Sequence, residues 1–397
     1  MAEPRGIVIV GGSAAGISAA QAIAEAGHDG PITMISAEPR LPYKRTKVSK
    51  SFAAGFDVDA FAVLERGWYQ RAGVDLLLGT TVTGLDLEQH RIQLDDGSTR
   101  SFGKLVLATG ATPRALPMTA GAQDALFFAH DIAQIERLRA YAVTCERALV
   151  IGMGVLGTEV AEQLCRMGKQ VTLAGDTAQV MTEHLNGVAA TRLADVMREN
   201  GITLLFGQTI GAVDADGSRI AVELGGAVQR FDLVVCCIGL ELRAELAREA
   251  GLEVRRGVVV DEQLYTSHPD VLAAGDVAEH PGGRLTHLWR HALHQGRVAG
   301  LNAAGGSERY EHVPFRVKCK VFDRYFFALQ RPDPAALGAY ETVEHSDGAR
   351  YVCAYYREGR VAGLVMCDDE ARQKEYNRAV VERWDRGTVE QTFALGR

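Results

Sequence analysis

Ile7-Val8-Ile9-Val10-Gly11-Gly12-Ser13-Ala14-Ala15-Gly16, near the start of the chain, shares one design with Ala148-Leu149-Val150-Ile151-Gly152-Met153-Gly154-Val155-Leu156-Gly157-Thr158-Glu159, further along it. Each begins with four apolar residues, the pattern of a strand buried on both faces, and passes through closely spaced glycines into a stretch of helical period. The spacing predicts helices reaching residues 26 and 167 and second strands over 32–35 and 170–173. This is the opening of a βαβ unit, in which glycine allows the tight turn and the first N–H groups of the helix face a pyrophosphate. The second copy is an intact GxGxxG, whereas Ser13 stands at the middle glycine of the first. Lys104 to Gly110 and Asp232 to Gly239 also echo each other as apolar runs ending in glycine. One site cannot use two pyrophosphate loops, so two dinucleotides are expected in an α/β chain with two Rossmann-like domains.

Forty-three of the 397 residues are glycine, about 11% where 7% is usual. No Gly-X-Y period or Gly/Ser linker absorbs them, so the excess is expected at tight turns where backbone meets backbone or ligand. Lys+Arg total 43 against 50 Asp+Glu, a net charge of −7, with 47% hydrophobic and 23% charged residues. That balance excludes disorder and, lacking a basic excess, nucleic-acid binding. No apolar run reaches the roughly 18 residues of a membrane helix, so no membrane partner is expected. Seven cysteines without CxxC or zinc spacing point to a reducing, cytoplasmic setting.

Other residues suggest roles by position. Glu38, just past the second strand, can accept from ribose hydroxyls. Residues 270–277, Asp-Val-Leu-Ala-Ala-Gly-Asp-Val, read as a strand ending at Gly275-Asp276, where backbone can approach a ring system and Asp276 can bond a polyol chain.

The Gly11 turn, Thr109-Gly110, the Gly152 turn and Gly275-Asp276 follow in an order that resembles the FAD-containing, pyridine-nucleotide-dependent reductases. The nearest subgroup is the ferredoxin and rubredoxin reductases, with apoptosis-inducing factor and the nitrite-reductase flavin module alongside. The resemblance runs from about Gly6 to Gly305 and implies a glutathione-reductase-like fold with a C-terminal α+β domain. It implies FAD in the first unit, held by Gly11, Ser13, Ala14, Ala15, Gly16, Glu38, Arg45, Lys50, Val82, Ala108, Thr109, Gly110, Asp276 and Val277. The second unit would bind NADH, with NADPH as the other candidate, through Gly152, Gly154, Leu156, Gly157, Glu159, Asp176 and Gly239.

Leu41-Pro42-Tyr43-Lys44-Arg45-Thr46-Lys47-Val48-Ser49-Lys50 is similar to the family's Leu-Pro-Tyr-x-Arg-Pro-Pro-Leu-Ser-Lys. By that resemblance Lys50 pairs with Glu159 beside flavin N5, where a cation stabilises developing negative charge. The family's disulfide reductases carry redox cysteines near this segment, but here none occurs before Cys145, so thiolate chemistry at the flavin is not expected. Cys236 and Cys237 read as part of a buried strand.

His280, His287, His291 and His294 crowd the segment after Asp276. On a helix running to residue 301, His287/His291 and His291/His294 would share a face. Packing and a metal site both fit that spacing, but a third ligand and second shell are not legible, so no metal is expected. The family sets this helix against the flavin, which makes His287 and Trp289 candidate active-site residues. In the second unit the acid that usually holds the NADH ribose falls at Gly175, with Asp176 one residue later and no arginine for a 2′-phosphate.

The expected layout is an FAD domain over 1–113 and 245–308, an NAD(P)H domain over 114–244 and the α+β domain over 309–397, with Pro113 and Pro117 at the first crossing. The tail from Tyr310 reads as short strands over 315–322, 325–329, 340–344, 350–356 and 360–366, then a helix with Tyr376, Val380 and Trp384 on one face. Arg316, Lys318, Lys320 and Arg324 form a local basic cluster, either a docking face or the wet side of a strand. The resemblance implies that hydride passes from NAD(P)H to the flavin, and two acceptors are expected as candidates: a small acidic ferredoxin or rubredoxin, or a small organic substrate of a biosynthetic pathway.

Overall fold

The computed structural model describes residues 6–116, 126–217 and 219–395; Pro117 lies outside them. The described residues gather into two compact units, one within Met1–Val48, Phe56–Thr112 and Leu240–Val313, the other within Ser49–Gly55, Pro113–Gly239 and Pro314–Arg397.

The first unit is built on a parallel sheet in the order Val271–Ala273, Lys104–Leu107, Ile7–Val10, Ile32–Ser36, Val74–Leu78. Ile7–Val10 lies in the middle with all four residues buried, which is why it reads as an unbroken apolar run. Helix Ala14–Glu25 packs on helix Trp289–Ala303 at very short range. Side chains on Gly296 or Gly300 would strike the backbone of Ala15 and Ala19, so both helices need small residues where they cross. A three-stranded antiparallel sheet, Val82–Asp86, Arg91–Leu94 and Thr99–Ser101, completes the unit.

The second unit repeats the plan with a parallel sheet in the order Thr203–Leu205, Gln170–Ala174, Arg147–Ile151, Leu233–Cys236, Leu126–Phe127. The strand entering the glycine turn again occupies the middle. The tail forms an antiparallel sheet in the order Arg316–Val321, Arg324–Leu329, Arg360–Cys367, Arg350–Arg357, Glu341–Asp347. Tyr356, Tyr376 and Phe393 lie in the core between this sheet and its helices, an α+β arrangement.

The single closing helix expected through Trp384 is instead two, Gln373–Val381 and Arg386–Phe393. Arg383 turns left-handed at φ 52°, and the N–H groups of Arg383 and Trp384 donate to Val380 (3.2 Å) and Ala379 (2.9 Å), ending the first helix in a Schellman-type cap. Trp384 stacks on Phe393 at 6.2 Å. Tyr310, read as the head of the tail, belongs to the core of the first unit, and the tail's first strand begins at Arg316.

Around Tyr310 the first unit collects imidazoles. His280 stacks on it at 4.8 Å, His312 and His294 lie 4.9 and 5.3 Å away, and His291 Nδ1 is 2.9 Å from its hydroxyl. Burial pushes both His280 and His291 down to about 4, helped by His312 against each and by Arg290 and His294 against His291. Among the described residues no three His, Cys, Asp or Glu side chains are grouped so as to hold a metal ion.

Gly296→Leu should destabilise the first unit by about 3 kcal/mol or more, read as an earlier urea transition, while Arg297→Ala on the exposed face of the same helix should cost under about 1 kcal/mol. A histidine whose folded pKa is depressed stabilises fully above its ordinary 6.5 and loses that contribution as pH falls toward about 4. The thermal midpoint of the first unit should therefore decline below pH 6.5, and His280→Phe should flatten that decline; parallel curves for the two proteins would refute it.

Candidate functional site

Gly11 and Gly152 leave the central strands at φ 123° and 109°, a region closed to ordinary side chains. A side chain on either would strike the carbonyl of Ala108 or Cys237, and one on Gly16 or Gly157 the carbonyl of Gly11 or Gly152. The protein's own packing accounts for these four glycines. Gly154 differs: its φ is −78°, and a Cβ there would meet nothing within 4 Å. The fold does not require glycine at 154, which fits a ligand lying against the turn.

Ser13 holds the same place in the first turn, at φ −113°. Neither the helix that begins Ala14-Ala15-Gly16 nor the one that begins Val155-Leu156-Gly157 has a side-chain cap or an acid in its first turn. Both starts therefore offer backbone N–H groups to an anion, and the residues present fit two dinucleotides.

Around the first turn the chain assembles a cluster. Arg45, on the tight helical turn Arg45–Lys50, donates from Nε to Ser13 Oγ at 3.2 Å and pairs with Glu38. The Tyr43 hydroxyl donates to Glu38 Oε2 at 2.7 Å. Glu38, read as a ribose acceptor, accepts from Tyr43 on one oxygen and pairs with Arg45 through the other, and each oxygen keeps a further lone pair. Ala108, Thr109 and Gly110 follow Lys104–Leu107; Thr109 Oγ1 donates to the Arg243 carbonyl at 2.7 Å, and Arg243 N–H to that of Gly110 at 3.0 Å.

Asp276 follows Gly275 at the end of Val271–Ala273, with Val277 buried behind it. Burial pushes the Asp276 carboxyl up while His287 and Arg45 pull it down, which places all three in one field. Val82 sits opposite Leu94 in the antiparallel sheet of the same unit. Helix Trp289–Ala303 starts too late to include His287, which lies before it, exposed and left-handed at φ 43°. The His287/His291 pair expected on one helical face does not form, whereas His291 and His294 are both on the helix. Trp289 packs half-buried on the first unit's core.

In the second unit, segment Ser49–Gly55 lies along helix Val155–Arg166. Lys50 Nζ stands 3.1 Å from Glu159 Oε1, Ser49 Oγ donates to Glu159 Oε2 at 2.6 Å, and Ala53 N–H donates to Gln163 Oε1 at 3.1 Å. Burial pushes Glu159 up, and Lys50 and Ser49 oppose it. With Glu159 5% and Lys50 34% exposed, the carboxylate is enclosed and the ammonium reaches outward. Gly239 is left-handed at φ 107°, its carbonyl accepting from Arg114 N–H at 3.0 Å. A Cβ on Gly175 would come 2.9 Å from Met153 Cγ, so a side chain there would require Met153 to move, and Asp176 beside it is exposed. Burial pushes the Cys236 thiol up and that of Cys237 far up, so neither is prepared as a thiolate.

Sequence reasoning missed Ser49, Tyr43, Gln163 and Gln295 as partners. Ser49 and Tyr43 lay inside the quoted segment beside Lys50 and Arg45; the two glutamines carry no local signal.

A family model described as pyridine nucleotide-disulphide oxidoreductase matches residues 5–296. The chain is 33% identical over 315 residues to the anthranilate 1,2-dioxygenase system ferredoxin–NAD(+) reductase component of Burkholderia cepacia, covering 78% of each. It is 32% identical over 368 residues to the chlorobenzene dioxygenase ferredoxin reductase component of Cupriavidus sp. (strain PS12), covering 91% of this chain and 89% of that protein. The solved ferredoxin reductase for the CYP199A2 system from Rhodopseudomonas palustris shares the fold, with a TM-score of 0.86 at 24% identity over 94% of this chain and 93% of the other. With two parallel sheets of one plan, each carrying a glycine turn, the chain belongs to the pyridine nucleotide-disulphide oxidoreductase family.

Proposed function

We propose that this chain is an FAD-dependent NADH oxidoreductase that passes electrons to a small ferredoxin- or rubredoxin-type protein. The observation that carries the reading is the Lys50–Glu159 pair at 3.1 Å in a chain with no cysteine before Cys145: a cation is held in place and no thiol accompanies it in that part of the sequence. Relatives over 30% identical include three ferredoxin–NAD(+) reductase components, which supports the partner class. Bound FAD supplies two-electron uptake with one-electron release, the property that joins NADH to an iron–sulfur carrier.

On this reading the first unit is the FAD-binding part. The N–H groups at the start of Ala14–Glu25 and the Arg45 guanidinium hold the pyrophosphate, and Asp276 bonds the polyol chain. The Gly152 turn holds NADH, and Asp176 takes the ribose contact that Gly175 cannot make. Ser49 and Glu159 orient the Lys50 ammonium, which stabilises negative charge on the reduced ring. His287 and Trp289 border the ring. Seven cysteines without disulfide or zinc spacing support a reducing, cytoplasmic setting. Among the described residues no helix is long and apolar enough to cross a membrane.

The acidic partner meets exposed lysines. Lys44 and Lys47 are exposed in the first unit, and Lys318 and Lys320 alternate with buried neighbours on the edge strand Arg316–Val321 of the second. Arg324, counted in that basic cluster from sequence, is neutralised by Asp368, its Nε 2.7 Å from Oδ2. Lysines on an edge strand also discourage strand pairing, so the docking assignment needs a kinetic test.

Anaerobic stopped-flow should show rapid bleaching of the bound flavin by NADH, slowed about 10- to 100-fold in Lys50→Met. Ferredoxin reduction should weaken severalfold as ionic strength rises from about 0.05 to 0.5 M, and Lys44→Glu/Lys47→Glu should remove part of that salt dependence; salt-insensitive turnover with every redoxin offered would refute the partner class. Asp176→Ala should raise KM for NADH about 5- to 20-fold with kcat nearly unchanged, as loss of one ribose hydrogen bond requires.

A further inference from the structure

We propose that Gln295 and Tyr310 are positioning residues for FAD, fixing the Gly275-Asp276 turn through a chain of hydrogen bonds that starts at the Gly275 N–H. The proposal rests on reading the first unit as the FAD-binding one. Gln295 is 0% exposed, on helix Trp289–Ala303. The N–H of Gly275 can only donate, so the oxygen of the Gln295 amide faces it, at 2.7 Å. The amide nitrogen must then donate, and it reaches Thr286 Oγ1 at 3.0 Å and the Tyr310 hydroxyl at 3.4 Å.

With its oxygen accepting from Gln295, the Tyr310 hydroxyl also shares a hydrogen bond with His291 Nδ1, 2.9 Å away. Burial, which raises Tyr310 and holds His291 near 4, keeps both groups neutral at physiological pH. Tyr310 is itself fixed by the stacked ring of His280 and by its N–H bond to the Glu262 carbonyl at 2.7 Å. One amide thus ties the strand end, the helix, the Thr286 loop and the last segment of the first unit.

The turn it holds has little latitude. Gly275 is left-handed at φ 83°, and a Cβ on it would come 3.0 Å from the Ala15 methyl at the start of the glycine-turn helix. Asp276, the next residue, carries a carboxylate that burial pushes up and that His287 and Arg45 pull down, and on the proposed function it bonds the polyol chain. Without Gln295 the Gly275 N–H becomes an unmet buried donor, and the turn relaxes to find another acceptor. Asp276 and the helix start at Trp289 then move relative to each other.

The test titrates FAD into the apoprotein of the full chain and records the dissociation constant and the visible spectrum of the bound flavin. Tyr310→Phe keeps the stacked ring and removes only the hydroxyl, so it preserves folding; Gln295→Leu removes the whole bridge. Expected are weakenings of about 3- to 10-fold for Tyr310→Phe and about 10- to 100-fold for Gln295→Leu, with shifted flavin bands in both. The apoprotein thermal midpoint of Tyr310→Phe should stay within about 3 °C of the parent. Folded variants that bind FAD within twofold of the parent with unchanged bands would overturn the proposal. So would a loss of affinity for Tyr310→Phe that only matches a loss of apoprotein stability. A parent chain that does not bind FAD would overturn the functional reading itself.

Discussion

The carbonyl oxygens of Ala108 and Cys237 stand where a side chain on Gly11 or Gly152 would have to lie. That close approach of a strand end to a neighbouring turn sets much of what surrounds it. It brings the helix start directly over the middle of each parallel sheet, which in turn puts a carbonyl against Gly16 and Gly157. Because no side chain caps either helix and no acid enters its first turn, the N–H groups there keep their capacity for an external anion. A fold that required only stability would have used a capping serine or aspartate at these positions, worth about 1 kcal/mol each. Ser13 is of the right type and still does not cap its helix, its Oγ accepting instead from Arg45.

The crossing of helices Ala14–Glu25 and Trp289–Ala303 extends the same constraint through the first unit. Gly296 against Ala15 and Gly300 against Ala19 let two backbones meet, so residues nearly the whole unit apart in sequence share one rigid layer. Asp276 and Gln295 are placed by that layer. The histidines around Tyr310 fill the space beside it as neutral, desolvated rings, and their protonation would undo the packing that places them.

The duplicated fold was legible because its central strands are buried on both faces and so appear as unbroken apolar runs, and because packing leaves no alternative to glycine at Gly11, Gly16, Gly152 and Gly157. Elements shaped by left-handed residues other than glycine were not. Arg383 ends a helix that nothing local announces, and His287 precedes one that the histidine spacing had begun a turn early. Lys50 and Glu159 were paired by resemblance, but Ser49 and Gln163 act across 110 residues through one hydrogen bond each, and Gln295 bridges Gly275, Thr286 and Tyr310, contacts that no periodicity encodes. Arg324 shows the converse limit, since a residue counted as a surface charge is cancelled by Asp368 from a strand end far along the chain.

The two turns differ in what surrounds them, and the difference follows from how long each ligand must stay. On the proposed assignment the first turn meets FAD with Ser13, Arg45, Glu38, Tyr43 and Asp276, several of them linked to one another. A network already ordered loses little further freedom on binding, so more of its contact energy is expressed as affinity. The Gly152 turn offers backbone at Gly154, a side chain filling the place of the usual acid at Gly175, and the exposed Asp176. A coenzyme that must leave after every hydride transfer is better served by such a sparse site, because tight uniform binding would slow its release without hastening the chemistry. The intact glycine motif that looks stronger in the sequence thus marks the weaker-binding site, and the interrupted one marks the resident cofactor.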